Sequence, residues 1–129
     1  MFKIQIKEIT VKKYRIVCAL EIFGDKYSNT KLKEQILKDF PSLKFHKCKN
    51  AKGLPFKDAL GDTSIPHILE HMIIDNQSQY TNDVLFGTTQ WINEECGISK
   101  IELSYTDDIV CLRAIKQSVE KLNSYSNYC

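Results

Sequence analysis

The sequence feature that most limits how this chain can fold is an apolar run at residues 65–72. It carries His67, Glu70 and His71 in the spacing His-x-x-Glu-His. The run predicts a helix. Residues four apart on a helix share one face, with their Cβ atoms roughly 5–6 Å apart. Two imidazoles so placed can converge on one metal ion, and a carboxylate beside them can take a proton from water. The sequence therefore predicts a helix that carries a centre for metal-assisted hydrolysis.

The flanking residues predict where this helix begins and ends. Thr63 or Ser64 is suited to cap its amino terminus, and Pro66 is tolerated in the first turn. We expect the helix to end near Gln77 or Tyr80.

The motif has the reversed zinc-peptidase order, which is an inverzincin-like signature. We predict that His67 and His71 bind Zn²⁺, one ion per chain, and that Glu70 is the catalytic general base. Asp75 lies roughly 12 Å along the helix axis from His67, so we expect it to support His71 as an outer partner and not to bind the ion. The motif does not identify the third protein ligand; the candidates elsewhere in the chain are Cys48, Glu94, Glu95 and Glu102.

Composition limits the class of protein. The 129 residues, 43% of them hydrophobic and 26% charged, suit a single globular domain, which we expect to span residues 1–122 before a disordered tail at 123–129. A net charge of +2 does not favour nucleic acid as a partner. No apolar run approaches ~20 residues, so no membrane segment is expected. Five widely spaced cysteines without a Cys-x-x-Cys pair favour a reducing, cytoplasmic location.

The remaining pattern predicts an α+β fold. In chain order we expect strands at 2–9 and 13–22, a helix from Asn29 or Thr30 to Pro41, a short strand at 42–48, the motif helix, strands at 83–86 and 100–105 around a turn at Gly97, and a helix from Asp107 or Asp108. The apolar residues of the last helix are Ile109, Leu112, Ile115, Val119 and Leu122. This order, ββα(β)αββα, favours helices packed on one face of a mainly antiparallel sheet.

Several further motifs occur in a fixed order between residues 13 and 122. They are a strand at 14–22, Phe40-Pro41-Ser42-Leu43, His46-x-Cys48, Gly61-x-Thr63 before the His-x-x-Glu-His segment, Gln77, Phe86-Gly87-x-Thr89, and a strand ending at Tyr105. In this order they resemble the N-terminal domain of cyanophycin synthetase, here as a stand-alone chain. The resemblance implies an α+β unit. In some members that unit is similar to a zinc peptidase that cuts cyanophycin, a poly-aspartate with arginine on each side chain, and in others it is a structural anchor.

Two positions depart from the family's usual pattern. Asp75 stands where glutamate is common, and Gln90 stands where arginine is common. We therefore expect the support of the site and its contacts with substrate to differ from those of other members.

Three functions remain open from the sequence. The first is a zinc-dependent peptidase or amidase that hydrolyses an amide bond in cyanophycin or a related polypeptide. The second is a noncatalytic scaffold module that binds the metal or a polymer and retains the fold. The third is a polar patch on a core helix, without a metal.

Overall fold

The computed structural model describes residues 1–46 and 55–126. In chain order it contains β1 (Phe2–Val11), β2 (Arg15–Gly24), α1 (Thr30–Asp39), a 3₁₀ turn (Pro41–Phe45), α2 (Phe56–Ala59), a second 3₁₀ turn (Leu60–Asp62), α3 (Ile65–Ser78), β3 (Gly87–Asn93), β4 (Ile98–Ser104) and α4 (Asp108–Ser124).

The four strands form one antiparallel sheet in the order β1-β2-β4-β3. Alternate residues of β2 and β4 are buried, and they belong to the same core cluster as the apolar residues of α3 and α4. These core residues of the two strands are Ile16, Cys18, Leu20, Ile22, Ile101 and Leu103. The predicted α+β fold, with helices on one face of an antiparallel sheet, is confirmed.

Local caps fix where the long helices begin. The side chains of Asn29, Ser64 and Asp107 accept hydrogen bonds from the first turns of α1, α3 and α4. Each of these residues was among the predicted caps. Since α3 begins at Ile65, the motif lies in its first two turns.

Two predicted strands are wrong. Residues 41–45 form a 3₁₀ turn, with Pro41 in its first turn and Leu43 buried, and residues 47 and 48 lie outside the described part. Residues 83–86 precede β3 because Asp83 is held in a turn by hydrogen bonds with Thr81 and Thr106.

The turn between β3 and β4 is confirmed at Gly97. This residue has a φ of +74°, and a Cβ there would lie 2.2 Å from the carbonyl oxygen of Ile22. The backbone conformation and the close approach both favour glycine.

Helix α4 buries one face and exposes the other. Ile109 was grouped with its apolar residues, yet it is 63% exposed because the buried stripe runs through Cys111, Ile115 and Leu122.

The predicted disordered tail would begin at residue 123, but α4 continues to Ser124. The Asn123 side chain accepts from the backbone N–H of Ile4 and donates to its carbonyl oxygen, and Ser126 Oγ accepts from the N–H of Phe2. Residues 123–126 therefore pack on β1, while 127–129 lie outside the described residues. No helix within the described ranges is long and apolar enough to cross a membrane.

Candidate metal centre

The two histidines of the motif bring ring nitrogens together on the inner side of α3. The Nε2 atoms of His67 and His71 are 3.2 Å apart, and Glu70 Oε2 lies 3.9 Å from His71 Nε2. One ligand atom from each of these residues lies within 4.8 Å of the others. Glu70 and His71 are each only 5% exposed. The structure thus brings all three motif residues together, with Glu70 and His71 buried and His67 half-buried.

The spacing of the nitrogens fits a zinc ion. Tetrahedral zinc with nitrogen ligands at 2.0–2.1 Å separates those ligands by about 3.3 Å. The 3.2 Å between the two Nε2 atoms is close to that separation, before any rearrangement of the rings.

Neighbouring side chains hold both rings in place. The Phe56 ring stacks on His71 with centroids 3.8 Å apart, and it meets His67 edge-on at 5.4 Å. Thr63 Oγ1 lies 2.8 Å from His67 Nδ1. Both rings are therefore confined, and the Nε2 atoms are the ones that face each other.

Glu70 is positioned by β3. Thr89 Oγ1 donates a hydrogen bond to Glu70 Oε1 at 2.6 Å. A Cβ at Gly87 would lie 2.7 Å from Glu70 Cγ, so the glycine leaves room for the glutamate side chain. Burial raises the pKa of Glu70, although Thr89 and the nearby His46 oppose this shift.

Asp75 was predicted to support His71 as an outer partner, but the two side chains do not bond directly. His46 lies between them. His46 Nε2 is 3.2 Å from Asp75 Oδ1, and His46 Nδ1 is 3.0 Å from His71 Nδ1. Asp75 is one helical turn beyond His71. His46 directly follows the 3₁₀ turn at 41–45, and its ring lies between the two side chains. Ser42 Oγ from the same turn donates to both carboxylate oxygens of Asp75, at 2.7 and 2.8 Å.

His46 was not predicted as part of the site. The chain has three histidines, and all of them lie in this cluster. Because histidine is so rare in this chain, the third histidine could have been considered as a member of the site. His46 was missed because it is far from the motif in the sequence.

Burial and hydrogen bonds together determine the charges of the side chains in this cluster. Burial lowers the pKa of His71 to about 3, with the nearby His67 and His46 acting in the same direction, and it lowers the pKa of His67. Burial alone would raise the pKa of Asp75, but hydrogen bonds from His46 and Ser42 outweigh it and lower that pKa. At neutral pH the motif histidines are therefore neutral, which is the form that binds metals.

The candidates for a third ligand have other surroundings or are not described. Glu94 bonds the Tyr27 hydroxyl, Glu95 is exposed in the β3–β4 turn, and Glu102 pairs with Arg15 on the outer face of the sheet. Cys48 lies outside the described residues. Within the described ranges, the cluster of potential ligands consists of His67, Glu70 and His71.

Comparison with known protein families gives a match. Residues 15–127 match the family described as the cyanophycin synthase-like N-terminal domain, and the matched segment is most of the chain. A search of curated proteins found no match.

Proposed function

Because the chain belongs to the cyanophycin synthase-like N-terminal domain family, we propose that it is a zinc-dependent, peptidase-like domain that hydrolyses an amide bond in cyanophycin or a related polypeptide. The observation that carries this proposal is the pair of Nε2 atoms of His67 and His71, 3.2 Å apart, beside the buried Glu70 carboxylate. The cytoplasmic location predicted from the cysteine pattern is part of the proposal.

The motif histidines fit a zinc ion in spacing and charge. His67 and His71 would hold the ion through Nε2, since both rings are neutral and their Nε2 atoms face each other. When bound, zinc supplies a Lewis acid that polarises water and an amide carbonyl.

Glu70 is the residue that moves the proton. Its Oε1 is anchored by Thr89, while Oε2 is on the side of His71. A carboxylate there can accept a proton from the attacking water and deliver it to the departing amine nitrogen. Its raised pKa brings the carboxyl group closer to neutral pH, where it can both accept and release a proton.

The sheet supports a polypeptide as the substrate. Strand β3 is at one end of the strand order and carries Thr89, which contacts Glu70. An extended chain added beside β3 would receive main-chain hydrogen bonds close to the general base.

The test is digestion of cyanophycin by zinc-loaded protein, followed by mass spectrometry. We expect shorter fragments that differ by whole dipeptide units. Glu70→Gln should abolish them while zinc stays bound, because the amide keeps the shape but cannot take the proton. Glu95→Gln, at an exposed glutamate in the β3–β4 turn, is the matched control and should cut normally. An intact polymer at high concentration of the wild type would contradict the hydrolase.

A noncatalytic module that binds metal or polymer is the second candidate. It is favoured by the ligand set itself, since Glu70 is the third member of the described cluster. If Glu70 is needed as a ligand, it is not available as a base. Loss of zinc from Glu70→Gln, together with sedimentation of uncut polymer with the wild type, would support this function. No zinc uptake by the wild type in calorimetry would leave only a polar patch.

A further inference from the structure

We propose that Asp75 and His46 form a hydrogen-bond relay that fixes the tautomer of His71, so that its Nε2 is ready to bind a metal, whereas Thr63 allows His67 to change tautomer when the metal arrives. Asp75 and His46 are then positioning residues. The inference rests on the proposed zinc function, and its direct readout is the proton positions in the metal-free protein.

The direction of the relay follows from its carboxylate end. An ionised carboxylate only accepts hydrogen bonds, so the 3.2 Å contact requires a proton on His46 Nε2. In the proposed relay His46 is neutral, so it has one N–H and its Nδ1 is an acceptor. The 3.0 Å contact with His71 Nδ1 therefore places the His71 proton on Nδ1 and leaves its Nε2 without one.

Ser42 fixes the start of the relay. Its hydroxyl donates to both oxygens of Asp75, at 2.7 and 2.8 Å, which favours the ionised carboxylate as an acceptor. Asp75 thus stays an acceptor although it is only 6% exposed.

The other motif histidine has a different kind of partner. With His71 Nε2 unprotonated, the 3.2 Å contact is a hydrogen bond only if His67 Nε2 carries a proton. The Thr63 hydroxyl then donates to His67 Nδ1, across 2.8 Å. A hydroxyl can also accept, so Thr63 can turn and receive a proton from His67 Nδ1 once His67 Nε2 binds a metal.

The two ligands therefore behave differently on loading. For His67 one N–H bond, at Nε2, is exchanged through solvent for one at Nδ1, and the ring stays neutral. For His71 the proton remains on Nδ1 throughout. A carboxylate relay sets one ligand in advance, and a rotatable hydroxyl accommodates the other.

Nitrogen-15 NMR of the histidine rings tests this directly, because only three histidines contribute signals. In metal-free protein at neutral pH we expect His46 and His67 protonated on Nε2 and His71 on Nδ1. After addition of zinc, His67 should change to Nδ1–H while His71 does not change. A proton on His71 Nε2 in metal-free protein, or a doubly protonated His46, would overturn the relay.

Asp75→Asn tests what the relay does for binding. The asparagine amide can donate to His46 Nε2 and so reverse the proton order, which would place a proton on His71 Nε2. We expect a mixture of His71 tautomers and zinc affinity roughly 10- to 100-fold weaker by calorimetry. Asp75→Glu should restore both readouts at least in part.

Asp39→Asn is the control, since Asp39 is a carboxylate outside the site that bonds Tyr125, and it should change neither readout. Unchanged zinc affinity in Asp75→Asn despite altered tautomers would overturn the positioning role. Correct wild-type tautomers without any zinc uptake would instead overturn the zinc function and leave the relay standing.

Discussion

The buried cluster on α3 and the ion pairs on the outer face of the sheet both bring ionisable groups together, but water reaches them to different extents. The side chains of Glu70 and His71 are each 7% exposed, whereas those of Arg15 and Glu102, whose charged atoms are 2.7 Å apart, are 56% and 26% exposed. Burial shifts pKa values strongly and makes the position of each proton matter. Solvent screens the outer pair and makes it weak. Similar distances thus have different consequences in the two places.

The largest expected difference between the two regions concerns zinc. His67→Ala or His71→Ala should weaken zinc binding by roughly a thousandfold or more, because each would remove one of the two proposed nitrogen ligands. Calorimetry measures this, and Arg15→Ala on the outer face should bind as tightly as the wild type. Equal zinc affinity in a histidine variant and the wild type would contradict the prediction that zinc binds at the cluster on α3.

The next difference is the response of the metal-free protein to acid. The pKa of His71 is about 3 in the folded protein, against an ordinary value of 6.5 in the unfolded chain. The unfolded state therefore binds a proton that the folded state rejects, and the stabilisation present above about pH 6.5 is lost as the pH falls toward 3. We expect the free energy of unfolding to fall by about 2 kcal/mol between about pH 7.5 and pH 5 from this group.

Urea unfolding at several pH values measures that slope. His71→Gln should have a flatter profile, and the difference between the two curves isolates His71 from Glu70, whose raised pKa acts in the opposite direction. Parallel curves would mean that His71 is not kept neutral by burial.

A third difference concerns packing against Glu70. Gly87→Ala places a Cβ 2.7 Å from Glu70 Cγ and 3.0 Å from an Ile74 methyl, so we expect a loss of about 1–3 kcal/mol in unfolding free energy. Turnover should fall more than zinc affinity, since Glu70 is displaced and the histidines are not. Gly61→Ala is the matched control, because its nearest contact is an ordinary 3.5 Å to Lys33. Similar losses in both variants would contradict the close fit at Glu70.

The smallest effect is expected on the outer face. Arg15→Ala removes the contact with Glu102 and should change the free energy of unfolding by less than about 1 kcal/mol, and by less still at high salt. Denaturant unfolding at low and high salt measures it. A salt-independent loss of several kcal/mol would show that solvent does not separate the two regions in the way described.

The sequence predicted well those features that depend on nearby residues. The caps Asn29, Ser64 and Asp107 each act within one helical turn, so the residue type and the pattern that follows were sufficient. The shared face of His67 and His71 follows from helix geometry alone.

Features that depend on distant contacts could not be predicted in the same way. Helix periodicity placed Asp75 on the face of His71, but the residue between them, His46, comes from another element. The start of β3 was misplaced because hydrogen bonds of Asp83 with side chains on either side of the hairpin hold it in a turn. In each case at least one of the partners, His46 or Thr106, is distant in sequence.

The two hydrogen bonds between the Asn123 side chain and the backbone of β1 have a consequence for association between chains. By occupying both the N–H and the carbonyl of Ile4, the amide takes the place that a neighbouring strand would fill. Farther along, the irregular pairing between Ile6 and Glu8 distorts the same edge. Another chain is thus discouraged from stacking onto β1. The opposite edge strand, β3, carries Thr89, so a second copy that paired with β3 would take the place of an extended polypeptide beside Glu70.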